Sequence, residues 1–302
     1  MHPPHPSQQF SNSNLLVCLL ALATLIMSPP SCVFVDGLSS PTSSSATNAN
    51  ANTASLRGKA FASSLPVLEP SHRRLYVVRH GQTDWNLKGL IQGGGYDTPL
   101  NNVGEQQAAQ VASELSGILF SMVCSSHLQR SLQTAKYLAA NKRVTDERLG
   151  EMRFGDLEGL AIRGLNATEE SRQRFQEMKQ KMKHDIDFKW PGEHGESTRD
   201  VSRRGKEAIE SLLLETKSGD HLCIVAHGRF NKVLLATLLW NDPSRFAEME
   251  QGNTCINAID YNELTKMWSP ILINYTDHAL EASAKEELLE HQPQEQQQQS
   301  SS

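Results

Sequence analysis

The sequence predicts an α/β fold in which helices cover both faces of a mostly parallel sheet. Three apolar, β-branched runs, at residues 75–78, 121–124 and 222–226, are typical of strands buried on both sides. Polar residues and then an amphipathic helical stretch follow each run, and this alternation indicates a three-layer αβα arrangement. No internal repeat divides residues 71–280, so we expect a single domain there.

Capping residues predict where two of the helices begin. Asn101 or Asn102 is suited to cap the helix after the first strand, because a short polar side chain accepts hydrogen bonds from the first turn. Ser125 or Ser126 is the expected cap after the second strand, and Leu132 is expected on the buried side of that helix.

The later part of the domain continues the pattern. A helix is predicted to begin near Thr198, and another, with apolar residues at helical spacing over residues 233–238, follows the third strand. Residues 258–261 and 271–275 are predicted to be late strands, one of them at an edge of the sheet.

Composition excludes several classes of protein. The 302 residues carry a formal net charge of −5, without the basic excess that nucleic-acid binding requires. Five scattered cysteines and the absence of a CxxC pair exclude a disulfide scaffold and structural zinc. We therefore expect an enzyme-sized domain with appended ends and no nucleic-acid partner, and no motif defines an oligomeric state.

Both ends differ from the central region. Residues 15–27 form an apolar run too short to span a bilayer and typical of a signal peptide, and residues 37–68 have the composition of a transit peptide. We assign residues 1–70 to a targeting segment and disordered linker, and the Gln- and Ser-rich residues 281–302 to a disordered tail. The bipartite pattern resembles the presequences of algae with secondary plastids. Secretion is the alternative, and the mature form is expected to contain no membrane segment.

The cysteines that remain after cleavage bear on this choice of destination. Three cysteines remain: Cys124, Cys223 and Cys255. An odd number favours a reducing compartment over an oxidising one.

Polar side chains follow all three predicted central strands. Residues 79–86 (RHGQTDWN) follow the first, residues 125–130 (SSHLQR) the second and residues 227–229 (HGR) the third. Ligands of open α/β sheets bind beyond the carboxyl ends of the strands, so neighbouring strands would bring arginines, histidines and helix N-termini to one crevice. Such a crevice suits an anion, most simply a phosphate, because helix N-termini are partly positive and the arginine fork binds two oxygens.

Two residues add chemistry to this predicted anion site. His80, directly after a buried strand, is placed to attack phosphorus through one ring nitrogen while a backbone carbonyl accepts a hydrogen bond from the other. Glu151 is a candidate to protonate the leaving alkoxide if partial burial favours its protonated form.

Six motifs together resemble those of the histidine phosphatase superfamily, the family of cofactor-dependent phosphoglycerate mutase. In chain order they are RHGQTxWN at residues 79–86, QG…DxPLN at 92–101, SSxLxRxxxTA at 125–135, LxExxFGxLEG at 149–159, GES at 195–197 and VAHG at 225–228. They occur in the family's order and cover residues 73–262. The resemblance implies a phosphoglycerate mutase-like αβα fold.

The resemblance also implies roles for individual residues. His80 would become a phosphohistidine, and Arg79, Arg130 and His227 would neutralise the phosphoryl group during its transfer. Glu151 would act as general acid and then as base for the attacking water. Further substrate contacts are implied for Asn86, Gln92 and the backbone of Gly228. No metal or other cofactor is implied, because the arginines and histidines supply the charge that magnesium supplies in other phosphoryl-transfer enzymes.

Each of these assignments has a purely structural alternative. Either arginine could be a solvated ion-pair partner, His227 a satisfied core histidine, and Glu151 a partner of Arg148 or Arg153. The lysine-rich residues 179–183 are expected to form a solvated helix face.

The acid motif favours a phosphatase over a mutase. The position of the mutase tyrosine is Phe154 here, that of its lysine is Ile162, and no Arg-Arg pair follows before Trp190. Losing these groups weakens the binding of a second acid group on the substrate, since each charge-assisted hydrogen bond contributes about 1.5–3 kcal/mol. We therefore expect a metal-independent phosphatase acting on small phosphorylated metabolites of a broad or less acidic kind.

Two other functions are alternatives to this expectation. The first is a cofactor-dependent phosphoglycerate mutase, which would share the phosphohistidine. The second is a non-catalytic protein that binds a phosphorylated ligand in the same crevice. The intact set of candidate catalytic residues argues against the second, because a binding protein has no need of the nucleophile.

Overall fold

A six-stranded sheet organises residues 44–279, which are the residues that the computed structural model describes. In chain order the strands are β1 (His72–Arg79), β2 (Phe120–Ser125), β3 (Ala140–Thr145), β4 (His221–Ala226), β5 (Ile256–Asn262) and β6 (Trp268–Tyr275). Their spatial order is β3-β2-β4-β1-β5-β6, with the first four parallel and β5 and β6 antiparallel to their neighbours. The predicted fold class, an αβα domain with a mostly parallel sheet, is confirmed.

Seven α-helices accompany these strands within the described part of the chain. They are α1 (Ser44–Ser64), α2 (Asp84–Leu87), α3 (Asn102–Glu114), α4 (Gln129–Ala135), α5 (Glu169–His184), α6 (Thr198–Leu214) and α7 (Gly228–Trp240). Asn101 caps α3 as predicted, since its side chain accepts a hydrogen bond from the backbone N–H of Gly104 at 2.9 Å. No helix among residues 44–279 is long and apolar enough to cross a membrane.

Strand β1 lies at the centre of the sheet because its side chains are apolar on both faces. Leu75 and Val77 pack into the cluster that includes residues of α6 and α7, while Tyr76 and Val78 pack into the cluster that includes residues of α3. None of these four is more than 1% exposed. Two apolar layers therefore hold the strand in place. As a result, Arg79 at its end and the polar residues that follow lie at a fixed point on the sheet edge.

Helix α4 differs from its prediction in both cap and orientation. Leu128, not Ser125 or Ser126, occupies the N-cap position, and no side chain caps the helix there. The hydroxyl of Ser126 instead accepts a hydrogen bond from the Leu128 N–H at 3.3 Å. Leu132, predicted to be buried, is 39% exposed.

The reason for this orientation is that α4 turns a polar side towards the sheet. Arg130, Ser131 and Thr134 are all buried there. The hydroxyl of Ser131 donates to the Val225 carbonyl on β4, and the hydroxyl of Thr134 accepts from the Gly81 N–H at 3.0 Å. Hydrogen bonds to the ends of the central strands, rather than an apolar stripe, thus set the rotation of this helix.

Helix α1 contradicts the disordered linker that was predicted before residue 71. Phe61 on this helix is 5% exposed, and its ring centroid lies 5.2 Å from that of Tyr275 on β6. Arg57 forms an ion pair with Glu114 on α3, with 2.9 Å between Nε and Oε2. The prediction failed because the apolar residues of this segment are too few to show a helical period, whereas one buried aromatic is enough to anchor its end.

The predicted signal-peptide run at residues 15–27 and the predicted tail at residues 281–302 lie outside the described residues. The targeting role of the N-terminal segment stays a prediction. The three cysteines of the described region, Cys124, Cys223 and Cys255, are free and buried.

Replacing Phe61 tests whether α1 is part of the folded domain. We expect Phe61→Ala to lower the free energy of unfolding by about 3 kcal/mol, because truncating a buried Phe removes its contacts and leaves a cavity. Leu56→Ala on the same helix, where the side chain is 68% exposed, is the matched control and should change it by less than about 0.5 kcal/mol. Urea unfolding of the full chain measures both. Equal, small effects of the two substitutions would show that α1 does not contribute to the fold.

Candidate active site

The carboxyl ends of β1, β2 and β4 meet at one cavity because these three strands are neighbours in the sheet. Its volume is about 310 Å³. Seven of the eight residues predicted for the site line it: Arg79, His80, Asn86, Gln92, Arg130, Glu151 and Gly228. The eighth, His227, lies beside His80, with 5.2 Å between the ring centroids. The structure therefore brings all the predicted site residues together.

His80 is buried and carries its ring proton on a defined nitrogen. Its Nδ1 lies 2.6 Å from the Gly81 carbonyl oxygen. A carbonyl only accepts hydrogen bonds, so Nδ1 must be the donor and the lone pair is left on Nε2. Burial holds the pKa of His80 well below its usual value, and the charges of Arg130 and Arg79 lower it further. The imidazole is therefore neutral at pH 7, with Nε2 available as a nucleophile.

Backbone carbonyl groups, rather than carboxylates, hold the two arginines of the site. Arg130 donates to the carbonyl oxygens of Tyr96 and Gly93 at 2.8 and 2.9 Å, and Arg79 donates to that of Gln251 at 2.7 Å. Burial lowers the pKa of Arg130 to about 10, so the group keeps its charge at pH 7. The Nε atoms of both arginines are buried without a hydrogen-bond partner within residues 44–279. These N–H groups are available to an anion in the cavity.

His227 supplies two further ring nitrogens that no protein group satisfies. Both are buried and have no hydrogen-bond partner in the described part of the chain. Burial lowers the pKa of His227 well below its usual value, and the charge of Arg130 adds to this effect. The alternative of a hydrogen-bonded core histidine is therefore not supported.

The carboxylate of Glu151 lies at the N-terminus of α7. Its Oε1 accepts hydrogen bonds from the N–H groups of Met152 and Phe230, both at 2.8 Å, and its Oε2 accepts from the Arg229 N–H at 3.0 Å. Three N–H donors at the start of the helix therefore fix the position of this carboxylate in the cavity.

Arg204 on α6, which the sequence analysis missed, fixes the loop that carries Glu151. Its Nη1 donates to two carbonyl oxygens of that loop, at 2.6 and 2.7 Å, and its Nε and Nη2 bind both carboxylate oxygens of Glu196 at 2.7 and 3.0 Å. The alternative in which Arg148 pairs with Glu151 is not observed, because that guanidinium binds Asp146 instead.

The other predicted contacts form the wall of the cavity. Asn86 completes a capping box on α2, with its Oδ1 accepting from the Thr83 N–H at 3.1 Å. Gln92 uses its carbonyl oxygen to accept from a neighbouring threonine hydroxyl. A Cβ on Gly228 would lie 3.2 Å from Arg79 Nε, so a glycine at the first position of α7 lets the guanidinium come close.

Three cations that were not predicted also line the cavity: Arg163, Arg229 and Lys232. Arg229 and Lys232 lie in the first turns of α7, directly after the His227-Gly228 pair. This nearness to a predicted site motif was the signal in the sequence that could have placed them in the cavity. Among the described residues, no group of three or more His, Cys, Asp or Glu side chains is placed to hold a metal ion.

Comparison with known proteins agrees with this geometry. Residues 75–271 match the sequence profile of the histidine phosphatase superfamily, branch 1. The chain belongs to this superfamily.

Individual relatives include both mutase-like and phosphatase members. The chain is 36% identical over 193 residues to the probable phosphoglycerate mutase GpmB of Yersinia enterocolitica, a match that covers 63% of this chain and 86% of the relative. It resembles the structure of a phosphoserine phosphatase from Entamoeba histolytica in complex with 3-phosphoglyceric acid, at 29% identity and a TM-score of 0.57, over 68% of this chain and 98% of the other. A mycobacterial glucosyl-3-phosphoglycerate phosphatase is similar at 27% identity and a TM-score of 0.57, over 67% and 98%.

The lowered pKa of His80 predicts how stability depends on pH. Below about pH 6.5 the unfolded chain binds a proton at this histidine while the folded imidazole stays neutral. The free energy of unfolding should therefore decrease as the pH falls from 7 to 5, and His80 contributes up to about 2 kcal/mol of that decrease. His80→Asn should lose correspondingly less stability over this range.

Urea unfolding at several pH values in phosphate-free buffer measures the effect. His184→Asn is the control, because that side chain is exposed at the end of α5, and it should leave the pH dependence unchanged. A dependence in His80→Asn as steep as that of the unaltered protein would contradict a neutral buried imidazole.

Proposed function

We propose that this protein is a phosphatase that hydrolyses phosphomonoesters of small metabolites through a phosphohistidine at His80, without a metal ion. The observation that carries the proposal is the neutral His80 imidazole, whose Nε2 is free while its Nδ1–H is held by the Gly81 carbonyl at 2.6 Å. Arg79, Arg130 and His227 lie around it and supply donors for the phosphoryl oxygens.

In the first step, Nε2 of His80 forms a bond to phosphorus as the bond from phosphorus to the ester oxygen breaks. The two guanidinium groups balance the charge on the phosphoryl oxygens, which is the contribution that fixed donors make in phosphoryl transfer. The leaving alkoxide takes a proton from Glu151. The step requires that Glu151 enter it carrying a proton from solvent, and this proton passes to the leaving oxygen.

In the second step, water attacks the phosphorus and the N–P bond breaks. Glu151, again a carboxylate after the first step, accepts the proton that the water loses. The electron pair of the broken bond returns to Nε2 and restores the neutral imidazole, and inorganic phosphate leaves. The three backbone N–H donors hold the Glu151 carboxylate at the cavity, where it can accept that proton.

The size of the cavity supports a small substrate. At about 310 Å³ it lies at the lower end of the range for ligand pockets. The similar phosphatases named above act, by their names, on phosphoserine and on glucosyl-3-phosphoglycerate, which are both small phosphorylated molecules.

A phosphoglycerate mutase is the second candidate. The observation in its favour is the set of three additional cations in the cavity, because a mutase must also hold a second acid group of its substrate. The likeness to a probable phosphoglycerate mutase supports the same candidate. A protein that only binds a phosphorylated ligand is the third, and no observation in the cavity favours it over catalysis.

One assay separates the three candidates. Purified full-length protein is incubated with a panel of phosphorylated metabolites in the presence of EDTA, and both phosphate release and interconversion of phosphoglycerates are followed. Release that persists in EDTA supports the proposal, whereas faster interconversion than release identifies a mutase. Loss of activity in EDTA would contradict metal independence, and no turnover of any ester would favour the binding protein.

Removing the nucleophile is the sharpest test of the mechanism. We expect His80→Ala to lower kcat for phosphate release at least about 1,000-fold, because the variant lacks the imidazole that forms the N–P bond. Rapid quenching during turnover should trap an acid-labile phosphoryl group on His80 in the unaltered protein and none in the variant. An active His80→Ala protein, or no adduct in the unaltered protein, would refute the mechanism.

Arg204 should act by positioning Glu151 rather than by contacting substrate. We expect Arg204→Met to lower kcat about 10- to 100-fold with little change in KM, because a displaced base affects the chemical step more than binding. Arg204→Lys should restore part of the rate, since an ammonium can still donate to the loop carbonyls. Steady-state kinetics, with urea unfolding as a control for folding, measure the effect. A change confined to KM would contradict this role.

Delivery to a plastid remains our proposal for the N-terminal segment, with secretion as the alternative. The free state of the three described cysteines supports a reducing compartment. Fusing residues 1–70 to a fluorescent reporter separates the two destinations, and a reporter found in the endomembrane system or the medium would reject the plastid.

A further inference from the structure

Three cations line the cavity in addition to Arg79 and Arg130. Arg229 and Lys232 belong to the first two turns of α7, and Arg163 comes from the segment between the acid motif and α5. None of them belongs to the residues that hold the transferred group in the mechanism above. They therefore add positive charge that the phosphoryl group does not require.

Protein carboxylates do not neutralise these three charges. Within residues 44–279, no Asp or Glu oxygen lies within 4.0 Å of a charged nitrogen of Arg163, Arg229 or Lys232. Glu151 is the single acidic residue among those lining the cavity, and both of its oxygens are occupied by backbone N–H groups. With Arg79 and Arg130 included, five cations face one carboxylate. A phosphate dianion balances only part of this excess.

Arg229 is held in place by groups that do not cancel its charge. Its guanidinium carbon lies 4.9 Å from the ring centroid of Phe246 and 5.9 Å from that of Phe154, and one Nη lies 3.9 Å from the sulfur of Met182. Burial lowers the pKa of Arg229, and the charge of Glu151 opposes this effect. A fixed and poorly solvated cation is preorganised for an anion, because binding requires little loss of side-chain freedom.

Lys232 lies one helical turn after Arg229 and experiences the same excess of positive charge. Burial lowers the pKa of Lys232 and the charge of Arg229 lowers it further, whereas Glu250 acts in the opposite direction; Arg79 and Lys179 make smaller lowering contributions. An anion bound between Lys232 and Arg229 would relieve this repulsion.

We propose that the substrate of this cavity is a phosphomonoester that carries a second acidic group, a carboxylate or a phosphate, bound by Arg229, Lys232 and Arg163. The inference rests on the proposed function, because it names the substrate class of the same site. Lys232 follows Gly228 by four residues, which is a rise of about 6 Å along the α7 backbone. A compact substrate with a short spacer spans that distance.

This inference replaces the expectation of a less acidic substrate. That expectation considered the segment after the acid motif, where the lysine position is Ile162 and no Arg-Arg pair follows. The structure brings compensating cations from α7, a different part of the chain, and adds Arg163 directly after Ile162. The positive charge that is missing from the segment after the acid motif is therefore supplied by α7.

Binding to His80→Ala protein tests the proposal without turnover. The probes are phosphate monoesters of two- and three-carbon alcohols whose other end is a hydroxyl, a carboxylate or a second phosphate. We expect calorimetry to show about 10- to 100-fold tighter binding of the carboxylate and bisphosphate probes than of the hydroxyl probes, because each adds a charge-assisted contact. Comparing carboxylate with phosphate identifies the preferred second acid. Equal affinity for all three end groups would overturn the proposal.

Substitution of Lys232 tests which residues provide the contact. We expect Lys232→Met to reduce the ratio of kcat/KM for a carboxylate probe to that for its hydroxyl counterpart about 10-fold or more. Arg163→Gln should reduce the same ratio by a smaller factor, since Arg163 is exposed and its charge is better screened. Lys206→Met is the matched control, because that lysine lies on α6 outside the cavity, and its ratio should change less than about two-fold.

The two proposals fail in distinguishable ways. An unchanged ratio in Lys232→Met protein that still forms the His80 adduct would overturn the second-acid inference and leave the phosphatase proposal standing. Absence of both the adduct and phosphate release from every probe would overturn the phosphatase proposal, whatever the binding affinities.

Discussion

Positive charge buried without a neutralising carboxylate is the constraint on which the rest of the site depends. Moving an unpaired cation out of water is costly, and most buried arginines are paired with an acid for this reason. Here Arg130 is held by two carbonyl oxygens and Arg79 by one. Carbonyl dipoles position a guanidinium but do not cancel its charge. The rest of the fold must therefore offset the cost of burying these charges. A bound anion would neutralise them.

The backbone provides those carbonyl groups only where unusual conformations are possible. Gly93, whose carbonyl accepts from Arg130, has a φ of +60°, and a Cβ there would collide with the Glu158 carboxylate at 1.9 Å. A residue other than glycine would have to move the loop and with it the acceptor. The glycine of the QG motif is therefore needed to position Arg130. This role accounts for the motif better than a direct contact with substrate does.

The N-terminus of α7 joins several parts of the mechanism in one rigid element. The helix begins directly after β4, so His227, at its N-cap, lies beside His80, and the next N–H groups hold the Glu151 carboxylate. Helix geometry then places Arg229 and Lys232 at fixed distances from the reacting centre. His227, the hydrogen bonds to Glu151 and the two additional cations therefore all depend on where this one helix begins.

The central sheet and the reacting residues were predictable because each leaves a local signal. Buried strands are continuous apolar runs, and the residues after them form short motifs with definite spacing. Strand β3 had no such signal, since its sequence ANKRVT is polar and lies at an exposed edge. The rotation of α4 was not predictable either, because hydrogen bonds from Ser131 and Thr134 to distant strands decide it. Arg204 depends on tertiary neighbours in the same way.

The docking of α1 also constrains how the protein can mature. A protease that removed everything before residue 71 would take away Phe61 and Arg57, and would leave Tyr275 and Glu114 without those neighbours. Gly58 packs so closely that a Cβ on it would come within 2.6 Å of the Gly117 backbone nitrogen, so an arbitrary sequence cannot replace this helix. Residue 71, where composition places the start of the domain, is therefore not the boundary of the fold, because part of the preceding segment packs against it.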